Sequence, residues 1–333
     1  MRASEGVCVV ITAYRAETTI ARAVTSALSD TRVREVIVVD DHSPDGTIPA
    51  AKSAAHGSER LQVIAFDRNR GPSAARNAAI AAAESPLVAI LDADDYFLPD
   101  RFSQLPDGDW DFVADNIAFI PEGSTPPDLT SRSGECRHRD LSFDEFIERN
   151  ISRAASHRSE LGFLKPVMRR ATLQKLGLVY DEKLRLGEDF ILYATALARG
   201  AHFVLSECCG YVAEVRATSL SGLHRTEDLA ALAEADRALV AELERAAAPP
   251  THIRLLRRHL RALDQKVATR RFIDRKHVVG LARATLELTA TPAKLVRAAG
   301  EIVDGKLRHR RPQPLPAVRM LLVSDEFAPR LPS

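Results

Sequence analysis

Val36-Ile37-Val38-Val39-Asp40-Asp41-His42-Ser43-Pro44-Asp45-Gly46 carries four apolar residues straight into two carboxylates and a turn. A short continuous apolar run bounded by turn residues predicts a strand buried on both faces. The pattern recurs on either side. Val7 to Ala13 reads as a strand, Leu61 to Phe66 as another, and Leu87 to Leu91 as a fourth that closes on Asp92-Ala93-Asp94-Asp95. Helices fill the intervals: Glu17 to Leu28, with Ile20, Ala23, Val24 and Ala27 on one stripe, then Thr47 to His56, then the Ala-rich Ser73 to Glu84 behind Pro72. Strands alternating with helices at this spacing predict an α/β fold with a largely parallel sheet.

Further along, Trp110 to Ile120 reads as a strand, 121–134 as a Pro/Ser-rich loop and Ser142 to Asn150 as a helix. Glu188 to Arg199 is a helix stopped by Gly200, followed by two short strands, Ala201 to Leu205 and Gly210 to Val215. From Arg225 to about Arg311 the pattern is helical, broken near Pro249-Pro250 and Pro292. The expected organisation is a sheet domain over 1–224 and a basic helical region over 225–333.

Composition narrows the classes. Of 333 residues, 45% are apolar and 27% charged, which excludes wholesale disorder and fibrous repeats. The net charge of +1 hides a segregation. Residues 251–312 hold 16 Lys and Arg against 5 Asp and Glu, while the preceding chain is acidic. Such a block suits either an anionic partner or a solvated helical face. Four cysteines without a C-x-x-C pair are too sparse for a disulfide scaffold, so a reducing cytosol is expected. No apolar run reaches a membrane span, and the opening residues lack a leader pattern.

Chemistry is expected at the strand ends, where open α/β sheets bind ligands. Asp40-Asp41 and Asp92-x-Asp94-Asp95 both fall there. Crowded carboxylates are relieved by a divalent cation, and hard cations take carboxylate oxygens. Solvated acidic turns or helix caps are the plainer reading. Neither G-x-G-x-x-G nor G-x-x-x-x-G-K-[ST] occurs, so a bound nucleotide would rely on a metal and on basic side chains such as Arg76. Gly187-Glu188-Asp189 opens an apolar helix. Its carboxylates serve the helix dipole or supply a general base.

Four segments together resemble family 2 glycosyltransferases: Val36 to Ser43 with Asp45-Gly46-Thr47, Asn69-Arg70-Gly71-Pro72-Ser73-Ala74-Ala75-Arg76-Asn77, the D-x-D of Asp92-Ala93-Asp94, and the E-D of Glu188-Asp189. The resemblance implies a GT-A fold, a nucleotide-sugar donor, Mg²⁺ or Mn²⁺, and inverting transfer to an acceptor hydroxyl. By position it places Thr12, Ala13 and Tyr14 near the base, and Asp40 or Asp41 on uracil. Arg76 and Glu188 fall near the nucleotide. Asp92 meets the ribose or the metal, Asp94 is the main metal ligand, and Asp189 is the catalytic base.

Two departures stand out. The first strand ends Thr12-Ala13-Tyr14-Arg15 where many members have Pro-x-Tyr-Asn. The His that many members carry after the E-D helix has its counterpart in His224, later than expected, or its work falls to Arg216 or Ser219.

Asp109-Trp110-Asp111-Phe112-Val113-Ala114-Asp115-Asn116-Ile117-Ala118-Phe119 further resembles a stretch in glucosyltransferases of succinoglycan exopolysaccharide assembly. That likeness implies UDP-glucose as donor and a lipid-diphosphate-linked oligosaccharide as acceptor. The basic block would then meet anionic headgroups, with Leu255 to Leu263 as an amphipathic helix. The expected place is the cytoplasm, peripheral at the inner face of the plasma membrane. The alternatives are a non-catalytic sugar-nucleotide or glycan-binding subunit and a nucleotidyltransferase. Nucleic-acid binding is not expected, since aromatics are only 5% and no RNP pattern occurs.

Overall fold

The computed structural model describes residues 5–124, 136–151, 160–215, 225–279 and 318–322. Two compact units emerge. The first holds the described residues up to 150, 160–215 and 318–322, and the second holds 151 and 225–279.

The first unit alternates as the apolar runs require. β1 (Val7–Ala13), α1 (Ile20–Ser29), β2 (Val33–Asp40), α2 (Thr47–Ala54), β3 (Leu61–Ala65), α3 (Pro72–Ala82) and β4 (Leu87–Asp92) come first. β5 (Tyr96–Phe97), β6 (Phe112–Pro121), β7 (His138–Asp140), α4 (Phe143–Asn150), β8 (Val167–Arg169) and α5 (Arg170–Lys175) follow. α6 (Glu188–Ala198) and β9 (Phe203–Val215) complete it, with β10 (Arg319–Met320) returning from the far end of the chain.

One sheet results, in the order β3-β2-β1-β4-β8-β6-β9-β5, with β10 on β6 and β7 on β9. The long pairings β1–β2, β1–β4, β2–β3 and β6–β9 are parallel; the short ones are antiparallel. Val7 to Ile11, Val36 to Val39 and Leu87 to Leu91 are wholly buried, which is why these runs read as continuous rather than alternating. An aromatic cluster of Phe112, Phe203, Tyr193, Phe146 and Phe190 seats α4 and α6 on the sheet.

Three expectations change. The two short strands expected over 201–215 are one 13-residue strand, β9. Polar Ser206 and Glu207 masked its continuity, and its pairing with β6 shifts register around Asn116. The far end of the chain is not all helical extension. Asn116 exchanges hydrogen bonds with the backbone of Leu322, both at 2.8 Å, and secures β10 on β6. Finally, a disulfide joins Cys136 to Cys208, with Cα atoms 5.5 Å apart, where four reduced thiols were expected. The pairing of β7 with β9 brings together two cysteines 72 residues apart, which spacing cannot reveal.

In the second unit, α7 (Thr226–Arg245) and α8 (Pro250–Val279) pack antiparallel around Leu232, Leu239, Leu243, Leu256, Leu263 and Val267. The break at Pro249-Pro250 is therefore a turn inside this unit. Asp236 is fully buried and pairs with His259 Nδ1 at 2.6 Å. The break expected at Pro292 lies outside the described residues. Among the described residues, no helix is long and apolar enough to cross a membrane.

Candidate active site

Strand register builds the site. Thr12 lies opposite Asp92 on β4, and Ala13 lies opposite Asp40 on β2. The acidic ends of β2 and β4 therefore flank the end of β1, at the carboxyl edge where such sheets take ligands. Arg15 and His42, just past β1 and β2, have left-handed φ of 54° and 64°. Such backbone is uncommon for residues with a Cβ and collects at functional loops. Here the two loops are laced together: Arg15 N–H donates to Ser43 Oγ at 3.0 Å, and Ala16 N–H to Thr47 Oγ1 at 2.9 Å.

The adjacent aspartates take different work. Asp41 accepts the N–H groups of Arg70 (2.6 Å) and Gly71 (2.9 Å), and Asn69 Nδ2 donates to its carbonyl. Both its oxygens are spent on folding the loop into α3, where Gly71 takes φ 90°. Asp40 is 2% exposed, and its Oδ2 accepts the Ser43 N–H. Its Oδ1 is buried without a hydrogen-bond partner. A buried acceptor left unsatisfied is costly and points to a ligand donor. Thr12 is half-buried, Ala13 buried, and Tyr14 projects a ring that is 47% exposed.

Arg76 stands on α3 and is 4% exposed, not a surface arginine. It donates to Glu188 Oε1 (2.7 Å), Asp189 Oδ1 (3.3 Å) and Asp92 Oδ1 (3.2 Å). The Tyr180 ring lies under its guanidinium at 5.2 Å, and Asn77 pins that segment through the backbone of Tyr180. Gly187, at φ 74°, turns the chain into α6, so Glu188 and Asp189 fall in its first turn. There the helix dipole favours negative charge.

Lys165 is the residue the sequence reading missed. It precedes β8 and is 8% exposed. Its ammonium lies 2.9 Å from Asp189 Oδ2 and 3.0 Å from Asp92 Oδ2. A lone lysine among Leu161, Leu164, Val167 and Met168 was the available signal, since lysine is rarely buried unless paired. Burial alone would raise the Asp92 carboxyl, yet Lys165 and Arg76 outweigh it and hold Asp92 at about 2. Burial would likewise lower the Lys165 ammonium, but Asp189 and Asp92 raise it above its ordinary value.

Asp95 is structural. Tyr211 Oη donates to it at 2.7 Å and the Glu214 N–H at 3.1 Å. Burial first, then Asp92 and Asp94, push its carboxyl well up. Asp94 remains partly exposed, and its carbonyl accepts from Arg22, which is ion-paired with Glu214.

For a divalent cation, the fit is narrow. Both Asp92 oxygens already face a cation, so a metal there would have to displace Arg76 or Lys165. Among the described residues, no group of three or more His, Cys, Asp or Glu is arranged to hold a metal. Asp94, partly exposed, is the carboxylate that would hold such a cation. His224, Arg216 and Ser219 lie outside the described residues.

The division of labour between Asp40 and Asp41 makes a prediction. Asp41→Ala leaves two loop N–H groups without acceptors and should cost about 2–4 kcal/mol. Asp40→Ala, which loses one such bond, should cost about 1 kcal/mol. Urea unfolding of both variants reads the difference; equal losses would contradict the assignment.

Against known proteins, the glycosyl transferase family 2 model matches residues 8–150. The chain is 46% identical over 314 residues to the succinoglycan biosynthesis protein ExoU of Rhizobium meliloti (strain 1021), covering 93% of this chain and 91% of that one. It is 37% identical over 236 residues to ExoO of the same organism, another succinoglycan biosynthesis protein, covering 69% and 67%. Among solved structures, S. aureus TarS 1-349 in complex with UDP-GlcNAc superposes with a TM-score of 0.59 at 20% identity, over 89% of this chain and 80% of that one. That last likeness concerns the fold, of GT-A type. With this sheet, these strand-end carboxylates and these relatives, the chain belongs to glycosyl transferase family 2.

Proposed function

We propose that this transferase moves glucose from UDP-glucose, with inversion, to a hydroxyl of a lipid-linked oligosaccharide in the assembly of a succinoglycan-like exopolysaccharide. The observation that carries the reading is Asp189. It is a carboxylate at a helix start, held by Arg76 and Lys165 beside the strand-end aspartates. Each carboxylate oxygen has two lone pairs, so one engaged with a cation can still accept an acceptor O–H. Asp189 takes the hydroxyl proton as that oxygen attacks the anomeric carbon. The bond from that carbon to the diphosphate breaks on the opposite face, and UDP leaves. A single displacement with one base inverts the centre.

The donor end follows from the same edge. Asp40 Oδ1, lacking a protein partner, is the acceptor for the uracil N3–H. Tyr14 offers a ring face to the base, and the backbone of Thr12 and Ala13 lines its edge. Asp94 would hold Mg²⁺ or Mn²⁺, which supplies charge neutralisation for the leaving diphosphate. Asp92 and Glu188 order the two cations rather than contact the metal. The TarS complex with UDP-GlcNAc supports a nucleotide-sugar donor, and the ExoU and ExoO likenesses support the exopolysaccharide.

The acceptor's lipid places the enzyme at the cytoplasmic face of the membrane. α8 supports this, since Arg254, Arg257, Arg258 and Arg261 are exposed and follow helical spacing along one face. Leu256, His259 and Leu263 face the opposite way, into the helix pair. Exposed arginines on an amphipathic helix suit anionic headgroups. In a reducing cytoplasm the Cys136–Cys208 pair would stand as two thiols.

Two measurements test this reading. Asp189→Asn should lower turnover of UDP-glucose by roughly a hundredfold or more while keeping UDP affinity, whereas Asp94→Ala should weaken metal-dependent UDP binding. Near-normal turnover in Asp189→Asn rejects that residue as the base. Vesicles of phosphatidylglycerol should retain the protein at low salt and release it at about 0.5 M salt or on Arg254→Glu/Arg258→Glu/Arg261→Glu. Equal retention on phosphatidylcholine would reject the membrane contact.

A further inference from the structure

A buried lysine held between two aspartates is unusual enough to need a reason. Replacing such ion networks by apolar residues is often neutral or stabilising, so fold stability alone does not explain it. The network here is also lopsided. Among the described residues, Asp92, Glu188 and Asp189 pair with Arg76 and Lys165, three carboxylates against two cations.

The chain spends further structure on placing this one ammonium. Arg101, 3% exposed, donates through Nη2 to the Lys165 carbonyl at 2.7 Å. Arg101 is itself clamped by Asp115, with Nε at 2.9 Å from Oδ2 and Nη2 at 2.6 Å from Oδ1. Gly210 on β9 makes room for that clamp. A Cβ there would stand 2.3 Å from Arg101 Cγ and 2.6 Å from Asp115 Oδ2. Pro166 follows Lys165 and restricts its backbone to extended conformations. β9, β6 and the Arg101–Gln104 turn before β6 thus converge on the Lys165 main chain, and its side chain then bridges β4 to α6.

We propose that Lys165 is a positioning residue for the transfer. It ties Asp189 on α6 to Asp92 on β4, and so fixes the base carboxylate against the donor-binding edge. Arg76 makes the same crossing through Asp189 Oδ1 and Asp92 Oδ1, so the two cations grip both oxygens of both aspartates. With one cation gone, Asp92 Oδ2 and Asp189 Oδ2 point at the same unfilled position and repel. Without Lys165, Asp189 is held through Oδ1 by the longer 3.3 Å contact to Arg76, and its carboxylate turns away from Asp92. A base displaced by an ångström loses much of its effect, while donor binding at Asp40 and Asp94 stays intact.

The proposal rests on the transferase reading above, and the test separates the two. UDP affinity by calorimetry, release of UDP from UDP-glucose with Mn²⁺, and thermal unfolding are measured for the native chain, Lys165→Met and Lys165→Arg. Lys165→Met should keep the UDP dissociation constant and the donor KM within about threefold and lose about thirtyfold or more in kcat. Lys165→Arg should recover at least about tenfold of that loss, because the cation returns. If Lys165→Met unfolds at the assay temperature, Lys165→Gln takes its place. A neutral variant with native kcat overturns the proposal. So does a loss shared equally by UDP affinity and kcat, or an Arg variant as slow as the neutral one. A native chain that neither binds UDP nor releases it from UDP-glucose overturns the transferase reading, and this inference with it.

Discussion

Two cations hold three carboxylates at the carboxyl edge of the sheet, and the functional half of this molecule is organised by that constraint. Arg76 comes from α3, Lys165 from the segment before β8, Asp92 from β4, and Glu188 and Asp189 from α6. Each element is anchored independently to the parallel core. Through Asp189 and Asp92 the cations tie α6 to β4, which no sheet hydrogen bond connects. In a low-dielectric place, any one of these charges without its partners would be costly. Mutual dependence therefore keeps the Asp189 carboxylate and the strand-end Asp92 at fixed separation.

Around this network, carboxylates that look alike in the sequence divide by their partners. Asp41 and Asp95 are consumed by the protein. The first folds the loop into α3, and the second ties the turn after β4 to β9 through Tyr211 and Glu214. Asp40 keeps a buried oxygen without a hydrogen-bond partner, and Asp94 is partly exposed. Asp189 is held by both cations, Arg76 on one oxygen and Lys165 on the other.

Much of this was legible in the sequence. The continuous apolar runs of β1, β2 and β4 became buried parallel strands that end at or beside Thr12, Asp40 and Asp92. What was hidden depends on long-range pairing. Lys165 gives no local motif; it matters only because β8 lies beside β4. β10 is two residues long and is secured by Asn116, some 200 positions away. The Cys136–Cys208 bond follows from the register of β7 on β9. β9 looked like two strands because its polar middle, Ser206 and Glu207, interrupts the apolar pattern even though Ser206 is buried. Asp40 and Asp41 could not be told apart from sequence, because their difference lies wholly in which backbone amides reach them.

The most direct test of the account is calorimetric titration of UDP into the native chain and into Asp40→Ala, first with Mn²⁺ and then with EDTA. The account predicts saturable one-to-one binding to the native chain with Mn²⁺, strong weakening by EDTA, and loss of about tenfold or more in Asp40→Ala. Absence of UDP binding to the native chain under either condition, or binding indifferent to Asp40, would contradict it.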